Sequence, residues 1–260
     1  MLTPSDARTP RWLGAAFVFQ FATSLSAGLL STSILAGSIA EVLMNVWSNP
    51  GQMRTTIVLE LLTSVGIMVM TSLLYVVLRD QNRAVALVAM GLWMAEAVML
   101  AVKSLGLYGL VAVSAGYVDA GTPTASSYET VGSAALGVSR HAADIGMLFF
   151  CLGGLLWYSL LFQSRIVPRL LALWGLVTVP LVLVATSMLV WNPTLDPSVA
   201  LYALYVPFEL VLGLWLLIRG ANVAPTHPVD VSASGVDVAA RKDVGKDAGQ
   251  QDHQIHDRAT

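Results

Sequence analysis

Charge is what this chain has least of. Asp, Glu, Lys and Arg make up 12% of its 260 residues, where soluble domains carry about 25%, so an ordinary water-facing surface is excluded. The formal net charge of −2 removes the electrostatic basis for a nucleic-acid partner. Cys151 is the single cysteine, so no intrachain disulfide forms and the redox compartment stays open. His141 is the one histidine within an apolar stretch, which argues against a haem held by two histidines of one chain. His-Glu-x-x-His, Gly-x-Ser-x-Gly and glycine-rich phosphate loops are missing, so the sequence points to no catalytic residue, metal centre or cofactor. The last apolar run has no lysine for a retinal Schiff base, and no repeat relates the two halves as in inverted-repeat transporters.

What the chain has in quantity is apolar length. Hydrophobic residues make up 56% and mean hydropathy is +0.71. Runs at 12–36, 55–78, 84–113, 137–163, 170–191 and 199–218 each approach or exceed the ~20 residues that cross a bilayer core. The expected fold is therefore all-α: a polytopic membrane bundle of about six transmembrane helices. Residues 1–11 form an N-terminal segment, 12–220 the transmembrane domain and 221–260 a disordered tail, because apolar periodicity stops at Gly220. The first run is too long for a secretory signal and reads as an uncleaved span. Residues 39–47 read as a short interfacial helix ended by Asn49-Pro50-Gly51, and 114–135, rich in Gly, Ser, Thr and Ala, as an exposed loop. Pro180 predicts a kink in span five, and Pro207 a loosened backbone inside span six.

Basic residues set the expected orientation. Arg8, Arg11, Arg79, Arg83, Arg165, Arg169 and Arg219 fall on one side of a six-span arrangement, leaving Arg54 and Arg140 toward the other. The positive-inside rule then puts both termini in the cytoplasm. The lipid bilayer is the expected partner, and no protein partner is legible.

A small polar set lies inside this apolar frame: Glu60 in span two, Glu96 and Lys103 in span three, Arg140, His141 and Asp144 early in span four, and Glu209 in span six. Helical rise places all of them between the midplane and the outer face. Glu96 and Lys103 share a helix face but are seven residues apart, too far to touch, so each needs a partner on another helix. Arg140 and Asp144 have the i,i+4 spacing of a pair. The acids outnumber the cations, so at least one acid is protonated, shared or cation-bound. One reading makes the set an outward polar pocket for an ion, a proton or a small polar ligand, in a transporter-like or sensory protein. A second makes it glue that holds helices together in a non-catalytic assembly or stress-related component. A membrane enzyme comes third, since the acids and His141 could transfer protons although no motif demands it. Trp93, Trp157, Trp174 and Trp215 read as packing or interfacial-belt residues.

Several short segments carry a resemblance. Glu60-Leu61-Leu62, Tyr75-Val76-Val77-Leu78-Arg79, Glu96-Ala97, Arg165-Ile166-Val167-Pro168-Arg169-Leu170 with Trp174-Gly175, and Glu209-Leu210 before Leu214-Trp215-Leu216-Leu217-Ile218-Arg219-Gly220 together resemble the bacterial membrane proteins grouped as domain of unknown function 4386. The similarity runs from about Arg11 to Gly220. Trp93 and Phe208 stand where that family tends to carry a basic and a polar residue. The resemblance implies a multi-pass protein of a bacterial cytoplasmic membrane and supplies no activity.

Overall fold

The computed structural model describes residues 9–120, 125–192 and 204–220, and every regular element among them is a helix. In chain order these are α1 (Thr9–Ile34), α2 (Ile39–Ser48), α3 (Pro50–Leu78), α4 (Arg83–Ala120), α5 (Ala125–Ser164), α6 (Arg169–Trp191) and α7 (Val206–Arg219). Helices α1, α3, α4, α5 and α6 are long and apolar enough to cross a membrane. The expected disordered tail and residues 199–203 of the sixth expected span lie outside the described residues.

Local chemistry sets the boundaries. Gly37, at φ 93°, takes the left-handed backbone that turns the chain from α1 into α2. Ser38 then caps α2: its hydroxyl accepts from the Glu41 backbone N–H while the Glu41 carboxylate accepts from the Ser38 N–H at 2.6 Å, a reciprocal capping box. Those backbone and hydroxyl hydrogen bonds from Ser38 hold the Glu41 carboxyl below its ordinary range. Pro50 opens α3, where a missing N–H costs nothing. Helix α6 runs as one element through Pro180.

Among the described residues, the helices other than α2 close into a ring. Helix α1 packs on α3, α3 on α4, α4 on α5, α5 on α6, α6 on α7, and α7 returns to α1. Neighbours run antiparallel, as matched contacts show: a side chain on Gly106 would meet Ala135 and Ser139 of α5, and one on Gly153 would meet Trp93 of α4. Glycine is required at Gly106, where a Cβ would lie 2.7 Å from the Ala135 carbonyl oxygen. This topology gathers Arg11, Arg79, Arg83, Arg165, Arg169 and Arg219 at one end of the bundle, the basic end. There Arg219 stacks over Trp215 at 4.7 Å and Arg169 over Phe162 at 5.4 Å.

Two apolar cores result. The larger joins Leu13, Phe17, Leu74, Trp93, Trp157, Tyr158, Phe208 and Leu212 through the bundle. The smaller gathers Ile34, Val42, Leu43, Val46, Ile57, Leu107 and Leu110 at the opposite end, where α2 packs on α4 and α5. This second core overturns the loop expected at 114–135. Most of that stretch is helix: α4 continues to Ala120, and α5 has already begun at Ala125. Ser114 is buried, and a Cβ on Gly116 would run into the Tyr128 ring, so these small residues are a close-packing face between two helices. With 38 and 40 residues, α4 and α5 extend ~57 Å and ~60 Å against a ~30 Å hydrocarbon core. Their paired ends stand beyond it.

The last helix also differs from expectation. Span six was to run unbroken from residue 199 with Pro207 inside it. Instead Leu204 and Tyr205 form a turn, and Pro207 lies in the first turn of α7, where it fits without loss. Fourteen residues carry α7 from there to Arg219, so it starts ~21 Å from the basic end, within hydrocarbon depth.

Candidate functional site

The charged residues singled out from sequence fall into three places rather than one cavity. The first lies between α3 and α4, where Lys103 Nζ meets Glu60 Oε1 at 2.5 Å. The Glu60 side chain is 5% exposed and that of Lys103 23%, so the pair is desolvated on its acid side. Antiparallel register sets this partnership: one turn further along α3, Ser64 donates to the Ala97 carbonyl of α4 at 2.7 Å.

The second place is deeper. Glu96, on α4, has Oε2 buried with no hydrogen-bond partner among the described residues. Glu209, in the first turn of α7, is buried as well. Tyr158 of α5 and Tyr205, just before α7, are buried too. Those tyrosines share a hydroxyl–hydroxyl hydrogen bond of 2.7 Å across α5 and the start of α7. Aromatic rings wall the region. Trp93 stacks on Phe150 with centroids 5.9 Å apart, Phe150 meets Tyr205 edge-on at 5.2 Å, and Tyr158 meets Phe208 at 5.0 Å. Trp93 is tied down by its indole N–H to the Phe150 carbonyl at 3.0 Å. The turn before α7 is held in turn by the Trp174 indole, which donates to the Leu204 carbonyl at 3.2 Å. Another unpaired acceptor, Gln20 Oε1 on α1, is also buried.

The third place is at the end opposite the basic one. Arg140, His141 and Asp144 line a cleft of about 750 Å³ between the α1–α2 turn, α5 and the end of α6. They sit mid-helix on α5, not in its first turns as expected, because α5 begins at Ala125. The expected Arg140–Asp144 pair does not form: Asp144 instead approaches His141 Nδ1 at 3.9 Å. A residue on a helix has two candidate partners one turn away, and spacing alone cannot choose between i+3 and i+4.

Sequence reasoning passed over Tyr158, Tyr205 and Gln20. A signal existed for Tyr205, which precedes Glu209 by four residues and so shares its face of the chain. A tyrosine far from a bilayer interface also needs a partner for its hydroxyl. Gln20 had no such neighbour in sequence. Trp93 and Trp157 are fully buried, as packing residues should be.

The sequence profile of the family described as "Domain of unknown function (DUF4386)" matches residues 12–220. The chain belongs to this family. The DUF4386 match spans all the described helices save the first three residues of α1, so the Glu60–Lys103 pair, the two buried acids and the polar cleft lie within the family's own extent. No curated protein and no solved structure matches this DUF4386 chain. Among its described residues no group of three or more His, Cys, Asp and Glu is placed to hold a metal ion.

Proposed function

We propose that this DUF4386 protein binds a proton or a small cation at Glu96 and Glu209, as a transporter-like or sensory component of a bacterial cytoplasmic membrane with both termini inside. The observation that carries the reading is the buried Glu96 Oε2, which lacks a hydrogen-bond partner in a bundle that buries a second acid, Glu209. Lys103 is the one lysine before the tail, and it is committed to Glu60. Two carboxylates in a low-dielectric interior repel each other strongly unless a proton or cation is shared between them. The short helix α7 supports the same reading, since non-helical backbone at membrane depth is tolerated where it is enclosed by protein or lines a polar space. Its N-terminal dipole faces the acid in its first turn. The basic end supports the orientation.

Infrared difference spectra of the purified protein across pH test this. The expected result is a titrating protonated-carboxyl stretch, lost in Glu96→Gln and shifted in Glu209→Gln. If sodium rather than a proton occupies the pair, sodium chloride will raise the wild-type melting midpoint relative to choline chloride, and Glu96→Gln will not respond. An absent band together with indifference to sodium would sink the proposal.

A second reading rests on a separate observation: several other buried polar contacts are ties between helices. Lys103–Glu60, Ser64–Ala97, Thr63–Thr23 and Tyr158–Tyr205 each cross an interface. On that reading the protein is a non-catalytic membrane assembly component. Glu96→Gln then lowers stability equally at all pH values, and a partner protein copurifies.

A further inference from the structure

The cleft around Arg140 has a polarity gradient that matches its depth. Along α5, measured from Ser164 at the basic end, Ile145 lies at ~29 Å, Arg140 at ~36 Å and Ser133 at ~47 Å by helical rise. Leu189 and Val190, the α6 part of the lining, lie ~30 Å along that helix from Arg169. The apolar wall of Ile145, Leu189 and Val190 therefore meets the far edge of the ~30 Å hydrocarbon core. The charged groups stand at that edge and just above it, where headgroups lie. An apolar groove of about 500 Å³ adjoins the cleft along the α4–α5 seam, lined by Met99, Val102 and Val138, and shares His141 and Ile145 with it.

Charges of both signs occur within one turn of α5. Arg140 is a guanidinium suited to bidentate phosphate recognition. Asp144 is its opposite in charge, one turn deeper. His141, whose ring is 73% exposed, is turned toward Asp144 without closing over it, and Asp144 keeps 37% exposure. Neither Arg140 nor Asp144 is consumed by the other, since the pair expected from their spacing does not form.

We propose that this cleft is a binding site for a zwitterionic phospholipid of the leaflet away from the basic end, with its phosphate on Arg140 and His141, its ammonium on Asp144, and an acyl chain in the adjoining groove. The site is separate from the Glu96–Glu209 pair, so either proposal stands or falls alone. Opposite charges within one helical turn favour a zwitterion over a purely anionic headgroup, and the apolar floor favours an amphiphile over free phosphate.

The test uses the full chain in a neutral detergent, with melting midpoints followed against short-chain phosphatidylethanolamine, short-chain phosphatidylglycerol and inorganic phosphate. Saturable stabilisation is expected with the ethanolamine lipid, weaker stabilisation with the glycerol lipid, and none with phosphate. Arg140→Gln should raise the half-saturating concentration of both lipids about tenfold, the loss of one charge-assisted contact. Asp144→Asn should erase the preference for the ethanolamine headgroup and leave the glycerol lipid unchanged. Both positions reach solvent, so the lipid-free midpoint of each variant should stay at the wild-type value; if Arg140→Gln does not fold, His141→Gln replaces it with the same expected direction. Equal lipid responses in wild type and both variants, stabilisation by phosphate alone, or equal response to the two headgroups would each overturn the assignment.

Discussion

Removing the ammonium of Lys103 separates glue from pocket at Glu60. With a charge separation of about 3 Å and an effective dielectric near 20, the Lys103–Glu60 attraction is ~5 kcal/mol before desolvation is subtracted. Desolvation offsets most of that while both partners are present, so a neutral replacement of both should change stability little. Lys103→Met alone is different, because it leaves a carboxylate whose side chain is 5% exposed without its hydrogen-bond partner. Stranding one member of a buried pair typically costs about 3–5 kcal/mol. Lys103 is 23% exposed and lies ~30 Å along α4 from Arg83, at the edge of the hydrocarbon core, so polar headgroup surroundings reach the site and the expected cost falls to about 2–4 kcal/mol. Glu60→Gln/Lys103→Met should recover much of the loss, giving a coupling energy of about 1–3 kcal/mol. At roughly 2–4 °C per kcal/mol, Lys103→Met should lower the melting midpoint by roughly 4–16 °C. The assay is a four-member double-mutant cycle, read by thermal unfolding in one detergent. Strictly additive midpoints, or a single variant indistinguishable from wild type, would refute an energetic pair at this position.

Two further outcomes follow from the packing and capping. Gly106→Ala places a methyl 2.7 Å from the Ala135 backbone oxygen, so overpacking of about 1–3 kcal/mol should exceed the ~1 kcal/mol helix-propensity gain, whereas Gly28→Ala, with nothing within 4 Å, should keep that gain; melting midpoints of the two variants check the contrast. The depressed Glu41 carboxyl contributes stability that is present above the ordinary carboxylate range and is lost as pH falls through its lowered folded value. Amide exchange in α2, corrected for intrinsic rate, should therefore accelerate in acid, and Glu41→Gln should remove that pH dependence while exchanging faster at neutral pH.

How much was legible in sequence depended on whether a property was local. Apolar runs state their own membrane character, because burial in lipid asks only for length and composition. Lys103 could be seen to need a partner on another helix, since seven residues separate it from Glu96, but Glu60 as that partner depends on the α3–α4 register. Small residues misled at 114–135. Gly116 and Ser114 look like loop composition, yet here they let α4 and α5 approach closely, which only the facing Tyr128 reveals. Pro207 misled in the opposite sense, as an interruption when it is a beginning. The site divided for the same reason: depth along a helix can be counted from sequence, but rotation about its axis cannot, so residues at similar heights looked like one cluster.

The unbroken length of α5 has a mechanical consequence. Within a single helix, Arg140, His141 and Asp144 span one turn at the cleft, and Phe150 and Tyr158 both meet Tyr205. No turn or proline interrupts the rod between them. Its backbone runs as helix from the cleft to Phe150, whose ring meets Tyr205 edge-on. The two chemically separate places thus share one continuous helix, so a shift of that helix along its axis moves both.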